Sequence, residues 1–182
     1  AADDTGQTLH NRLAEIGAAI APLALQGHID GSLKAIPQLE AGMIYAKKLT
    51  SADQIIDWTR NATEIDRQIR GLSPGRCAYF NLVDGNKTTP IRVKLIMSAA
   101  EEIATEASPG TLLDDGFLIA CGSGAVRILR GQKSGKAPMD EKILLQGLLE
   151  FSRTNTKQAP FQSLNLDSLF VEIKNQLERL KF

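Results

Sequence analysis

Seven basic side chains form the densest electrostatic pattern in this sequence: Lys87, Arg92, Lys94, Arg127, Arg130, Lys133 and Lys136. Lys87 sits in a loop; the others fall on segments that read as strands or strand ends, and the interval from Arg127 to Lys136 contains no acid. Long cations fanned over one face of a β-structure can track a phosphate backbone without reading its bases. The same residues also suit a solvated sheet edge, where charge discourages edge-to-edge aggregation. Taken alone, they favour the solvated edge.

Other constellations fall short of catalysis. Gly122-Ser123-Gly124 is glycine-rich, but a phosphate loop needs a strand before it and a helix after it. Strand-like sequence lies on both sides here, so the triplet reads as a hairpin turn. The acid pairs Glu101-Glu102 and Asp114-Asp115 read as solvated turn residues, because sequence neighbours rarely converge on one substrate atom. Ser51, Ser98 and Ser123 have no general base nearby in sequence. His10 and His28 stand apart, without a second ligand at metal-binding spacing, so no metal site is expected. Cys77 and Cys121 lie in apolar runs and read as buried reduced thiols of a cytosolic protein. Trp58 reads as a packing residue, with base stacking the alternative.

The elements that must position these residues follow from periodicity. Asp4 or Thr5 caps a first helix, with Gln7 completing a capping box. Leu9, Leu13, Ile16 and Ile20 give it an apolar stripe with no partner in the following residues. Pro22 should bend or end it, and Gly27 and Gly31 mark its exit. Residues 34–50 read as a connector. Ser51 opens a short helix, and Asn61 with Glu64 caps a second one whose apolar side is Ile65, Ile69 and Leu72, stopped near Gly71. The period then becomes extended. Five strands are expected: Cys77 to Val83, Ile91 to Ile96, Thr111 to Leu113, Phe117 to Cys121 and Ala125 to Leu129, with turns at Asp84-Gly85-Asn86 and Asp114-Asp115-Gly116. No helix links successive strands, so a small closed or partly open barrel is expected rather than a parallel sheet. A helix follows from Asp140 to Gly147, and an amphipathic one carries Leu166, Leu169, Phe170, Ile173, Leu177 and Leu180.

Composition is that of a globular chain: 182 residues, 43% hydrophobic and 23% charged. Lys+Arg and Asp+Glu both number 21, so overall charge suggests no partner. No apolar run reaches bilayer length, and Ala1-Ala2-Asp3-Asp4 lacks a secretory leader's pattern. The missing initiator Met points to a processed, truncated or internally started polypeptide.

Several motifs, in order, resemble methionyl-tRNA formyltransferases. Asp4-Thr5-Gly6-Gln7-Thr8-Leu9 with Arg12-Leu13-Ala14 looks like the family's last N-domain helix. Tyr45-Ala46-Lys47-Lys48-Leu49 and Ile56-Asp57-Trp58 look like its linker. Pro109-Gly110-Thr111, the Gly122-Ser123-Gly124 strand pair, Lys136-Ala137-Pro138-Met139 and Leu144-Leu145-Gln146-Gly147 look like its C-terminal barrel. Gly75-Arg76-Cys77-Ala78-Tyr79-Phe80 departs from the usual Pro-Pro-Gly-Ala-Trp-Phe type, and residues 148–182 exceed the usual ending.

Periodicity and the resemblance together imply an α+β chain: a small five-stranded OB-like β-barrel preceded by helices and followed by a C-terminal amphipathic helix, the last read from periodicity alone. The resemblance divides the chain into 1–38, the end of a truncated N-terminal α/β catalytic domain; 39–58, a linker; 59–150, the OB-like domain; and 151–182, an extension. The parent enzyme would move a formyl group from 10-formyltetrahydrofolate, its co-substrate, to the methionyl group of initiator tRNA in the cytoplasm. The family's Asn-His-Asp constellation and Ser-Leu-Leu-Pro segment do not occur here, so no catalytic residue and no bound cofactor is assigned. With the resemblance, weak electrostatic tRNA contact through the seven basic residues becomes the expected role. The missing catalytic domain is a second expected partner, and an oligomer through the terminal helix is possible; no membrane partner is expected. A packing or docking module of a related formyltransferase, acting on a nucleotide sugar or carrier-bound amino acid, is the alternative.

Overall fold

The computed structural model describes residues 3–82 and 90–155. Lys87, the Asp84-Gly85-Asn86 turn and the amphipathic stripe from Leu166 to Leu180 lie outside the described residues.

Helix α1 spans Gly6–Ile29 and is capped by Thr5. The Thr5 hydroxyl accepts from Thr8 N at 3.2 Å, and Thr8 Oγ1 accepts from Thr5 N at 2.9 Å. The reciprocal cap is therefore Thr5 with Thr8, not Asp4 with Gln7. Pro22 does not end the helix, which runs on to an Asp30 cap, within the exit that Gly27 and Gly31 mark. A proline inside a helix removes one donor and leaves the carbonyl four residues earlier without a partner. Around Pro22 the helix is exposed, so water can satisfy Ala18 O. The expected apolar stripe is real but uncovered, with Leu9, Leu13, Ile16 and Ile20 between 42% and 57% exposed. The first turn ties α1 to the rest: Gln7 N donates to Ser73 O at 3.3 Å, and Arg70 Nη1 to Asp4 O at 3.0 Å.

Residues 30–50 form no helix or strand, and a single 3-10 turn occupies Ala52–Gln54. Helix α2, Ala62–Leu72, is capped by the Asn61 side chain, which accepts from Thr63 N at 2.8 Å. Glu64 does not close a capping box; it takes Arg60 Nε at 3.0 Å instead. Ile65 and Ile69 are fully buried, four residues apart on one face. Each contributes about 1.5–3 kcal/mol by leaving water.

Among the described residues the sheet has five antiparallel strands: β1 Ala78–Leu82, β2 Ile91–Glu101, β3 Leu118–Ala120, β4 Ala125–Lys133 and β5 Met139–Asp140. Their order is β1-β2-β4-β3, with β5 also on β4. Register shifts between Leu95 and Ser98 bend the long β2–β4 ladder, and the sheet curls into a half-barrel. This is the α+β, OB-like class expected. Thr111 to Leu113 falls short of a strand and pairs with β3 only through isolated bridges: Leu112 stands opposite Ile119, Ala120 N donates to Thr111 O at 2.8 Å and Leu113 N donates to Leu118 O at 2.7 Å. The fifth strand is Met139–Asp140, two residues too short to show a period.

Phe80, Leu82, Val93, Leu95, Phe117, Ile119, Val126 and Ile128 fill the core beneath α2. Trp58 joins them edge-on to Phe80, with centroids 6.0 Å apart. Helix α3, Glu141–Asn155, seats Leu144, Leu145 and Leu148 on the same core. Gly131 makes room for it: a Cβ there would lie 2.6 Å from Leu144 Cδ2 and 2.8 Å from Lys94 O. Among the described residues no helix is long and apolar enough to cross a membrane.

Candidate nucleic-acid interface

Alternation along β2 puts Val93 and Leu95 into the core and turns Arg92 and Lys94 outward. Register then fixes their neighbours. Tyr79 on β1 and Gln132 on β4 both stand opposite Lys94, and Asn81 stands opposite Arg92. Residues directly opposite in a ladder share a face, so Tyr79, Lys94 and Gln132 form one row across three strands. The Arg92 guanidinium carbon lies 4.0 Å from the Tyr79 ring centroid. That contact covers the ring, which is 5% exposed.

The turn after β4 closes one side of this row. Ser134 N donates to Arg92 O at 3.0 Å, Lys136 N to Lys133 O at 3.0 Å and Gln132 Nε2 to Lys136 O at 2.7 Å. Gly135 holds φ at +76°, where a side chain would be strained. Arg92, Lys94, Gln132, Ser134 and Gly135 line a recess of about 120 Å³. Lys136 is exposed on the same turn, and Lys133 stands at the end of β4 opposite Val93. Arg130 is half exposed, with its Nε 4.0 Å from Asp140 Oδ1; such a surface pair binds weakly. The structure thus brings Arg92, Lys94 and the 132–136 turn together, with Arg130 two residues before Gln132 on β4.

Arg127 is engaged elsewhere. Its Nε donates to Glu101 Oε1 at 2.5 Å, its Nη2 to Asp114 Oδ2 at 3.0 Å and its Nη1 to Gly116 O at 3.0 Å. Glu101 first, then Asp114, raises the pKa of the guanidinium further above its already high value. Glu101 and Asp114 are therefore not plain solvated turn acids. Together with Arg127 they fasten the connection from β2 to β3 onto β4. Strand pairing carries the signal for this clamp, since β4 lies between β2 and β3. Tyr79 and Gln132 were likewise missed, and only register reveals them beside Lys94.

The remaining candidates settle into packing. The Gly122-Ser123-Gly124 triplet is a hairpin turn, with Cys121 N donating to Gly124 O at 3.0 Å. It also caps α2: Ser123 O accepts from Ala62 N at 2.9 Å, while Gly122 N donates to Trp58 O and Arg60 O, each at 2.9 Å. Ser98 Oγ donates to buried Asp66 Oδ1 at 2.7 Å, and Arg70 Nε donates to Asp66 Oδ2 at 2.8 Å. Trp58, 4% exposed, has no ring face open to a base. Cys77 and Cys121 are both buried and unpaired in disulfides, and burial pushes the Cys121 thiol up to about 11.

Comparison with known proteins adds lineage to this geometry. Residues 48–149 match the family model described as formyl transferase, C-terminal domain. The chain is 45% identical over 145 residues to a methionyl-tRNA formyltransferase of Caulobacter vibrioides, covering 80% of this chain and 46% of that protein. Proteins of the same name from Parvibaculum lavamentivorans and Cereibacter sphaeroides are 42% and 44% identical, covering 81% and 85% of this chain and 47% and 48% of theirs. The chain spans about half the length of these relatives. Among solved structures, a variant of HypX from Aquifex aeolicus superposes with a TM-score of 0.50 at 20% identity, over 80% of this chain and 25% of that one. That likeness is one of fold.

Proposed function

Because this chain belongs to the formyl transferase C-terminal domain family, we propose that it is the tRNA-contacting portion of a methionyl-tRNA formyltransferase. The parent enzyme would transfer formyl from 10-formyltetrahydrofolate to the methionyl group of initiator tRNA, in the step that prepares translation initiation. The bond-making residues and the folate site would belong to an N-terminal lobe, toward which the uncovered stripe of α1 would turn. The observation that carries this reading is the 42–45% identity to proteins of that name over about four-fifths of the chain. The outward cations of β2 and the 132–136 turn supply a surface of matching charge.

Weak binding dominated by phosphate contacts has a clear thermodynamic signature: log K falls linearly with log salt. Fluorescence anisotropy with labelled initiator tRNA at two salt concentrations is the test. Measurable affinity that drops steeply with salt is expected. Affinity that is absent, or flat in salt, would overturn the reading.

A further inference from the structure

We propose that the recess between β2 and the β4–β5 turn seats a single phosphate group gripped by Arg92 and Lys94 together. The inference rests on the reading of this chain as a tRNA-contacting portion and says where contact is made.

Four observations carry it. The recess is lined by a guanidinium, an ammonium, a primary amide and a hydroxyl, from Arg92, Lys94, Gln132 and Ser134, with no carboxylate among its lining residues. Every one of these groups can donate a hydrogen bond to an anion. Next, both cations rise beside one residue: Lys94 stands opposite Tyr79 in the ladder, and the Arg92 guanidinium lies over the Tyr79 ring at 4.0 Å. Stacking holds the guanidinium flat and leaves its edge donors to reach a tetrahedral oxyanion. Among the described residues, neither Arg92 nor Lys94 forms an ion pair with a carboxylate. Lastly, the recess of about 120 Å³ has room for one phosphate group, and Ser134 N is already committed to Arg92 O, which holds the turn in place as its wall.

Arg127 lies outside this seat, engaged with Glu101 and Asp114. The phosphate could come from a polynucleotide backbone or from a free anion; the chemistry of the seat is the same for both.

The test uses the chain with Arg92→Gln, Lys94→Gln and the double substitution, with Arg60→Gln, which precedes α2 and pairs with Glu64 outside the recess, as control. Initiator tRNA affinity is measured across salt, and the amide resonances of Ser134 and Gly135 are followed on adding inorganic phosphate. If one phosphate is shared, each single variant loses about tenfold in affinity. Its salt slope falls by about 0.9, and the double variant loses little more. A double variant whose slope falls by about 1.8 would mean two independent phosphates and would overturn the shared seat. Unchanged slopes with tRNA still bound would also overturn it, while leaving the proposed function intact. Should the parent chain bind no tRNA, yet phosphate shift Gly135 in it and not in Arg92→Gln, the seat stands for a free anion and the proposed function falls. With neither tRNA binding nor phosphate shifts, both fall. Arg92→Lys guards against a folding artefact: it keeps the charge, loses the stacked fork, and should fall between the parent and Arg92→Gln.

Discussion

Arg127 on β4 and Asp114 on the turn before β3 meet at 3.0 Å, and the same guanidinium holds Glu101 at the end of β2. One cation thus joins the two ends of the β2–β3 connection. Arg127→Gln would leave two carboxylates facing each other without their counter-charge. With the pair a quarter to a third exposed, a loss of about 1–2 kcal/mol is expected. Urea unfolding of Arg127→Gln, Asp114→Asn and the double variant measures the coupling. Additive losses would show that the pair contributes nothing as a pair.

Ser98 and Asp66 join β2 to α2 inside the protein. The hydroxyl donates to one carboxylate oxygen at 2.7 Å while Arg70 holds the other. Ser98→Ala leaves a buried acceptor without its donor, and a loss of about 1–3 kcal/mol is expected. Asp66→Ala removes the partner of both Ser98 and Arg70 and should cost more. Thermal or urea unfolding of the two variants checks the order; Ser98→Ala at parent stability would refute it.

Glycine substitutions should change sign with their surroundings. A Cβ on Gly122 would lie 1.8 Å from Thr59 O. Gly122→Ala must therefore break the double hydrogen bond from Gly122 N to Trp58 O and Arg60 O that seats the hairpin on the segment before α2, at a cost of about 3 kcal/mol or more. A Cβ on Gly17 meets nothing within 4 Å, on an exposed helix. Gly17→Ala should be neutral or stabilising for α1, by up to about 1 kcal/mol. Unfolding curves for the first and helical content by circular dichroism for the second decide the matter.

These contrasts show how far local sequence carries. Helix α2 was legible because Asn61, Ile65 and Ile69 sit at cap and stripe spacing, a signal contained within three turns. The alternation of Arg92 and Lys94 was legible for the same reason. Thr111 to Leu113 reads as a strand because its residues favour extension, and it does pair with Leu118 to Ala120, but only through isolated bridges. Met139–Asp140 was invisible, since two residues carry no period. The candidate site was half legible. Its cations were named, but sequence cannot tell that Arg127 faces Glu101 and Asp114 while Arg92 faces Tyr79, because both facts depend on register between distant strands.

The Cys121 thiol predicts a pH dependence whose sign can be worked out. Burial raises it from 9.0 to about 11. Between those values the folded state keeps a proton that the unfolded state has released. Stability is therefore fully present below about pH 9 and declines as pH rises toward 11, by an amount on the order of 2 kcal/mol. Lysines and tyrosines titrate over the same range, so the informative quantity is the difference between the parent and Cys121→Ala. Parallel stability curves for the two above pH 9 would contradict the assignment. Alkylation by iodoacetamide at neutral pH should also be slow in the folded chain and fast in urea.

Residues 3–49 display more apolar surface than a lone chain carries comfortably. Leu23 is 73% exposed, Ile36 89%, Ile44 91% and Tyr45 80%, in addition to the stripe from Leu9 to Ile20. Exposed apolar side chains in this number normally meet another surface. Their ties to the barrel are few and lie at one end, where Arg70 holds Asp4 O and Gln7 holds Ser73 O. Two outcomes follow from this arrangement. The chain should self-associate at micromolar concentration, and removal of residues 1–47 should abolish that association. The same deletion should shift the thermal midpoint of the remaining barrel by no more than about 4 °C, since every residue of the buried core lies between Ile56 and Leu148. Light scattering reads the first outcome and calorimetry the second. A deleted chain that loses cooperative unfolding would show that α1 is part of the barrel's own stability rather than a surface held ready for another domain.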